Sequence, residues 1–350
     1  MAASYSNITE AFISNLFSVL FHPDFIVSPR GLENREKLNV NFSILNPTQR
    51  ICLHPMRKAN IVFNFAETLW HLSGSNNLEF IGYYSNKFSQ YSNDGVYLDG
   101  SAYGPRIFSF GSHKVNQWKK LVTLFKEDDE ESRRGVIQIF DPDESVSISN
   151  KDVACASSLH FIIRNKKLYM TTFMRANDAY RGFVSDIFFF TFLQELLATE
   201  LNYSLGHYYH CVASMDIFHS DLPKIEKIVS SNEGYNHLNA AVPSMPKKDP
   251  WACLNVIFEL EEQLRKNELS LDLKSICNLP LPHYWQQIIG LFIIYQHSVW
   301  DKGPVSTSLV DWLEPVYRFM LEHNQWYSKI NPYNTHGRRN VSADLRQNLK

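Results

Sequence analysis

The sequence predicts a mixed α/β chain of the α+β kind, followed by a helical C-terminal extension. Three observations predict it. The stretch Cys155 to Asp186 holds two alternating segments joined by a polar turn at Arg164, Asn165, Lys166 and Lys167, which reads as a strand pair. Gly182 then breaks the second strand, and DIFFFTFLQELLATEL is apolar enough to be a buried helix. From about residue 222 onward the apolar positions recur with a helical period.

From the N-terminus, MAASYSNITEAFISNLFSVLFHPDF contains an apolar run without a basic leader, and Pro23 ends a plausible amphipathic helix; residues 1–27 are read as a docking helix. An extended NVNFSIL segment follows, ending at Asn46 and Pro47. ANIVFNFAETLWHLSG has a helical period with a stop at Ser73 and Gly74, and carries a single acid, Glu67, in apolar surroundings. Such a glutamate either lies on a solvated face or has a chemical role. SNNLEFIGYYSNKFSQYSNDG and LDGSAYGPRIFSFG, rich in Gly, Ser, Asn and Tyr, read as loop with short helix. KEDDEESRRG is a charged loop, and GVIQIFDP after it is a strand.

Beyond residue 222, IEKIVSSNEGYNHLNAAV, then after a Pro-rich break at PSMPKKDP the segment WACLNVIFELEEQLRKNEL, and further on PHYWQQIIGLFIIYQHSVW, read as a set of helices. The polar tail carries Arg338 and Arg339, candidates for contacting a ligand or for solvating the end.

The chain has 350 residues, 44% of them hydrophobic and 14% aromatic, enough for one large core or two modest ones. A formal net charge of -2 provides no global attraction to nucleic acid or membrane, so an anion must be held by a local cluster. The five cysteines are widely spaced and form no C-x-x-C pair, which argues against a disulfide framework or zinc site; a reducing cytoplasm fits. His207, His210 and His219 near Cys211 match no usual metal spacing. No stretch approaches the ~18 to 20 apolar residues of a membrane span.

Arg175 follows Cys155 by twenty positions (175 minus 155), and Asp186 follows Arg175 by eleven (186 minus 175). Together with the run Arg175, Ala176, Asn177, Asp178, this spacing resembles the thymidylate synthase superfamily. FAETLWHLSG and AYGPR are similar to two further motifs of that family, and the matching region covers roughly residues 28 to 220.

The resemblance implies a thymidylate synthase-like fold over residues 28–221, with 222–350 as extension. It makes Cys155 the nucleophile, Glu67 the general acid/base, and Tyr103 a residue that positions the base and its water. Arg175 would bind the phosphate. Arg133 and Arg134 would reach the phosphate of the neighbouring subunit, which implies a homodimer, with Arg30 or Arg35 adding a contact from a loop. Asp178 would hold the folate, and Phe88 and Tyr91 would supply an aromatic wall. The cosubstrate implied is 5,10-methylenetetrahydrofolate, with no metal.

At the position of Asp186 the uridylate methylases carry asparagine, and the cytidylate hydroxymethylases aspartate. The difference has a physical basis: cytosine offers an amino donor at C4 and a bare acceptor at N3, which suits a carboxyl group. The chain departs from the family at Ala154, Ala156 and Ala176, and Asp216 and Phe218 replace its usual His-x-Tyr sugar readers. Loss of the hydroxyl at Ala176 removes a hydrogen bond worth ~1 kcal/mol and makes room, while Asp216 can accept from a cis-diol. The expectation is a CMP 5-hydroxymethylase. A dCMP 5-hydroxymethylase, a pyrimidine C5-methylase and a non-catalytic nucleotide-binding homologue are the alternatives.

Overall fold

The computed structural model describes residues 2–146, 149–231 and 241–333. Arg338 and Arg339 lie outside the described residues. The chain divides into two compact units, residues 1–52 with 66–231, and residues 53–65 with 232–350.

The first unit is built on a seven-stranded sheet: β1 (Ala3–Tyr5), β2 (Phe25–Val27), β3 (Asn34–Ile44), β4 (Val136–Gln138), β5 (Ala156–Arg164), β6 (Lys167–Asp178) and β7 (Ser204–Phe218). The order is β1-β3-β7-β6-β5-β4, with β2 also paired to β3. The polar turn expected between β5 and β6 is a tight hairpin in which Asn165 and Lys166 both adopt positive φ, 50° and 58°. That conformation matches the twist of paired strands, and asparagine tolerates it.

The helices of this unit are α1 (Ile8–Phe21), α2 (Ile61–Leu72, in this unit from Ala66), α3 (Leu78–Tyr84), α4 (Tyr103–Phe108), α5 (Gln117–Thr123), α6 (Pro142–Val146), α7 (Phe183–Leu201) and α8 (Leu222–Ser230). The Asn7 side chain accepts from the Glu10 N–H at 3.0 Å, which satisfies one of the donors a helix start leaves open. Phe12 of α1 packs on Phe183 of α7, ring centroids 6.1 Å apart.

The apolar run after Gly182 is α7, and Phe188, Phe189, Phe190 and Phe192 on it are all buried. At ~1.5 to 3 kcal/mol for each buried side chain of this size, the helix is a principal source of core stability. It joins β6 to β7, which run parallel as neighbours, so β6, α7 and β7 form a crossover unit. Gln194, buried in α7, donates to the Leu168 carbonyl of β6 at 2.9 Å.

The second unit contains α9 (Pro250–Arg265), α10 (Leu273–Cys277), α11 (His283–Val299), α12 (Thr307–Trp312) and α13 (Pro315–Glu322). Every residue of α11 from Tyr284 to Gln296 is buried, including Gln286, Gln287 and Gln296, whose side-chain amides donate to the carbonyls of Cys277, Trp312 and Leu264. Asn324 donates to the Ala59 carbonyl at 2.9 Å, and Phe65 meets Tyr317 edge-on at 6.0 Å, so residues 53–65 are fastened inside this unit. Among the described residues no helix is long and apolar enough to cross a membrane.

Candidate active site

The sheet topology gathers one end of four strands. β6 and β7 are parallel, with Asp178 opposite Asp216 at their carboxyl ends. β3 and β5 run antiparallel to them, so Asn34 stands opposite Phe218 and Ala156 opposite Met174. Ligands of open α/β sheets bind outside the carboxyl ends of parallel strands.

Cys155 lies immediately before β5 and is fixed by Arg175. The Cys155 carbonyl accepts from the Arg175 N–H at 2.9 Å. The guanidinium closes the clasp: Nε donates to the Ala154 carbonyl at 2.8 Å, and Nη2 to the Val153 carbonyl at 2.9 Å with the Cys155 Sγ 3.8 Å away. Burial pushes the Cys155 thiol up to about 11, with Arg175 pulling the other way and Asp186 adding to the rise. The sulfur is therefore held as thiol at neutral pH, beside a cation that favours its ionised form. Nη1 of Arg175 has no hydrogen-bond partner among the described residues, and its side chain is exposed, as an anion-binding arginine requires.

Asp186 sits on the first turn of α7. Burial pushes its carboxyl up to about 7; Asn177, which donates to Oδ2 at 2.7 Å, lowers it, and Asp178 raises it. Glu67, on α2, is raised well above its ordinary value, first by burial and then by Asp186. Tyr103, the first residue of α4, accepts from the Ala156 N–H at 3.4 Å and is raised by burial, then by the charges of Asp186, Cys155 and Glu67. Its ring stacks on His71, centroids 5.1 Å apart and 13° from parallel, while the Tyr103 N–H donates to His71 Nδ1 at 3.2 Å. Four side chains singled out from sequence, on α2, α4, α7 and the edge of β5, thus stand within reach of one another's charge. Glu67, Cys155 and Asp186 each keep part of their surface accessible, which suits groups that meet a ligand.

A second group adjoins the first. Asp178 Oδ1 accepts from the N–H groups of Tyr180 and Arg181 at 2.8 and 2.7 Å, while Oδ2 is buried without a hydrogen bond. Arg181 Nε stands 3.7 Å from Oδ2, an ion pair too long to be a hydrogen bond; a buried carboxylate oxygen with no closer donor can take another, and the N–H groups of a pterin would supply one, so the site fits a folate. Asp216 accepts from Asn34 Nδ2 at 2.7 Å, and burial followed by Asp178 pushes it up to about 7. Ala176 pairs with Ser214 across the β6 and β7 strands. Arg181 bonds Asp221 at 2.7 Å and lies 4.3 Å over the Phe218 ring. Phe88 meets Trp70 and Tyr91 edge-on, at 6.0 and 6.4 Å.

Among the described residues, Arg30, Arg133 and Arg134 make no hydrogen bond or ion pair to this group of side chains within one chain. Arg30 is exposed in a short turn, with φ 54°. Arg133 is exposed and its carbonyl is bonded to His160 Nε2 at 2.9 Å, while Arg134 reaches Asp128 at 3.1 Å with its side chain 74% exposed. Arg35 donates instead to the Leu20 carbonyl.

Sequence reasoning gave no role to Asn177, Tyr208, His71 or Asn34, and weighed His210 only as a metal ligand. The signal available for Asn177 was a polar residue at a strand end flanked by motif residues. The buried positions of β6 run Leu168, Met170, Thr172, Met174 and then Asn177, while β7 changes phase in step, from Val212 to Met215. That slip turns Asn177 inward, and strict alternation does not anticipate it.

The family model described as "Thymidylate synthase" matches residues 32–248, more than half of the chain. The chain is 34% identical over 209 residues to a deoxyuridylate hydroxymethyltransferase of Delftia phage PhiW-14, covering 56% of this chain and 57% of that protein. It is 28% identical over 244 residues to the deoxyuridylate hydroxymethyltransferase of Bacillus phage SP01, covering 67% and 63%. A third protein so described, from Pseudomonas phage M6, is 29% identical over 184 residues, covering 52% and 51%. The chain thus spans between half and two thirds of the length of these relatives.

Proposed function

This chain belongs to the thymidylate synthase family, and from that premise we propose that it is a pyrimidine-nucleotide C5 hydroxymethylase acting on a cytidylate, CMP in preference to dCMP. The observation that carries the reading is that the partly accessible Cys155 thiol and Asp186 carboxyl stand within reach of one another's charge, with Glu67 also under the charge of Asp186. The phage relatives, described as hydroxymethyltransferases, support the reaction type.

Cys155, as thiolate, bonds to C6 of the ring and makes C5 a carbon nucleophile. Asp186 faces N3 and the exocyclic amino group and stabilises the charge that develops there. Methylenetetrahydrofolate, with its pterin on Asp178, supplies the one-carbon unit that C5 attacks. Glu67 takes the C5 proton; burial and the neighbouring Asp186 raise its carboxyl well above the ordinary value, which makes it a stronger base once ionised. Departure of tetrahydrofolate leaves a methylene on the ring, water adds to it, and the sulfur leaves C6, giving the 5-hydroxymethyl nucleotide. Asp216 accepts from the ribose hydroxyls, for which Ala176 leaves room.

A second copy of the chain completes the phosphate clamp. The outward side of the sheet exposes Leu38, Phe173 and Tyr209, at 45%, 42% and 37%, an apolar area that a symmetric partner would cover. The exposed Arg133 and Arg134 then serve the partner's recess, beside its Arg175.

A second reading, a deoxyuridylate substrate, is favoured by the relatives' descriptions and by Asp186 itself. A carboxyl near its midpoint at pH 7 is partly protonated, and a carboxylic acid can accept from N3–H of uracil while donating to O4.

Tritium release from C5-labelled CMP, dCMP and dUMP, with methylenetetrahydrofolate present, tests the choice. The expected order has CMP first, with C155A silent. Faster release from dUMP overturns the cytidylate assignment, faster release from dCMP overturns the ribose preference, and silence with every nucleotide leaves a binding homologue. Dihydrofolate absorbance during turnover would mark a methylase instead.

A further inference from the structure

Behind Asp186 runs a line of buried polar side chains that the reaction itself does not consume. Asn177 Nδ2 lies 2.7 Å from Asp186 Oδ2, Asn177 Oδ1 lies 3.1 Å from His210 Nε2, and His210 Nδ1 lies 2.7 Å from the Tyr208 hydroxyl. Asn177 is 3% exposed, and His210 and Tyr208 are completely buried. They come from the end of β6 and the middle of β7, packed beneath the first turn of α7.

The line has a direction. Burial pulls the His210 imidazole down to about 3, so the ring is neutral and carries a single proton. The Asn177 carbonyl can only accept, so that proton is on Nε2, and Nδ1 must accept from Tyr208. The other end of the Asn177 amide can only donate, and what it donates to is Oδ2 of Asp186. Each group fixes the next, and Oδ2 is held as an acceptor. A carbonyl oxygen accepts such a bond better than a hydroxyl oxygen, so a proton carried by Asp186 is favoured on Oδ1.

We propose that Asn177, oriented through His210 by Tyr208, is a specificity-determining positioning residue: it removes the left-right symmetry of the Asp186 carboxyl and so decides which pyrimidine edge that carboxyl can pair with. The inference rests on the reading of Asp186 as the group that meets the base. A carboxylic acid free to carry its proton on either oxygen offers donor-acceptor to one base and acceptor-donor to the other, so it accepts cytosine and uracil alike. With the proton biased to Oδ1 by the Asn177 hydrogen bond, one arrangement is favoured, and in it the opposite base leaves a donor facing a donor or an acceptor facing an acceptor. Mismatches of this kind in buried polar sites give large discrimination.

The test is the ratio of kcat/KM for tritium release between CMP and UMP, and between dCMP and dUMP, in wild type, N177A, N177S, H210F and H210Q. Wild type is expected to favour one base by at least about a hundredfold, and N177A and H210F to bring the ratio to within about tenfold of unity. H210Q, whose amide can still donate to Asn177 Oδ1, is expected to keep most of the wild-type ratio. N177S retains a short polar side chain and guards against loss of folding in N177A, with thermal melting run on every variant. Activity that falls equally for both bases in folded N177A or N177S, leaving the ratio unchanged, overturns the relay while the enzyme assignment stands. Absence of tritium release from every nucleotide with wild-type protein overturns the enzyme assignment and the relay with it.

Discussion

Cys155 and Asp186 carry opposite burdens. The thiol, pushed up to about 11, must lose a proton to react, so its alkylation by iodoacetamide should quicken about tenfold for each pH unit from neutrality to about pH 10. R175A removes the cation that opposes the shift and should slow alkylation at every pH in that range; equal rates with and without Arg175 would refute its role at the sulfur. Asp186 is protonated in the folded chain up to about 7 but has an ordinary value of 3.8. Between these values the folded state holds the extra proton, so the stability that proton confers is present below about pH 4 and lost as pH rises through about 7. D186N should therefore melt higher than wild type at about pH 8 and lose that advantage near pH 4, at the cost of activity. Asp216, also pushed up to about 7, keeps part of the slope in the variant. The spacing of Cys155, Arg175 and Asp186 was legible in the sequence because it is local in number. Asn177 and His210 were not, because their meeting, thirty-three residues apart (210 minus 177), depends on how β7 lies beside β6.

Among the elements, the hairpin of β5 and β6 and the buried helix α7 were readable from period and turn chemistry alone. The strand β7 was not, although it holds the centre of the sheet between β3 and β6. Its aromatic and histidine content hides the alternation, and both of its faces carry polar atoms. Close approach of elements was equally hidden. Gly104 follows Tyr103 in α4, and a Cβ added there would lie 2.4 Å from the His71 carbonyl oxygen of α2. Backbone cannot yield as a side-chain tip can, so G104A should cost about 1 to 3 kcal/mol in denaturant unfolding and shift Tyr103 off the Ala156 N–H. A variant as stable as wild type, with unchanged activity, would mean that α2 and α4 tolerate separation.

At the scale of the whole molecule, the proposed pairing of subunits can be tested by complementation. C155A and the double variant R133A/R134A should each be inactive alone. Mixed and allowed to exchange, half of the dimers become hybrids in which one recess has both its cysteine and its partner's arginines, so about a quarter of wild-type activity should return. No recovery, with exchange verified by mass, would show that the arginines act within their own chain or not at all. The division of the chain was only partly visible from composition: the helical character beyond 222 is plain, but nothing in the letters between 53 and 65 announces that this stretch belongs with it. That detour has a practical outcome. Because the polypeptide leaves the sheet-bearing unit after Cys52 and re-enters it at Ala66, no single cut liberates that unit, and a stop codon after Ser231 would strip Ala59 and Phe65 of Asn324 and Tyr317. A protein shortened in this way should be recovered largely in inclusion bodies.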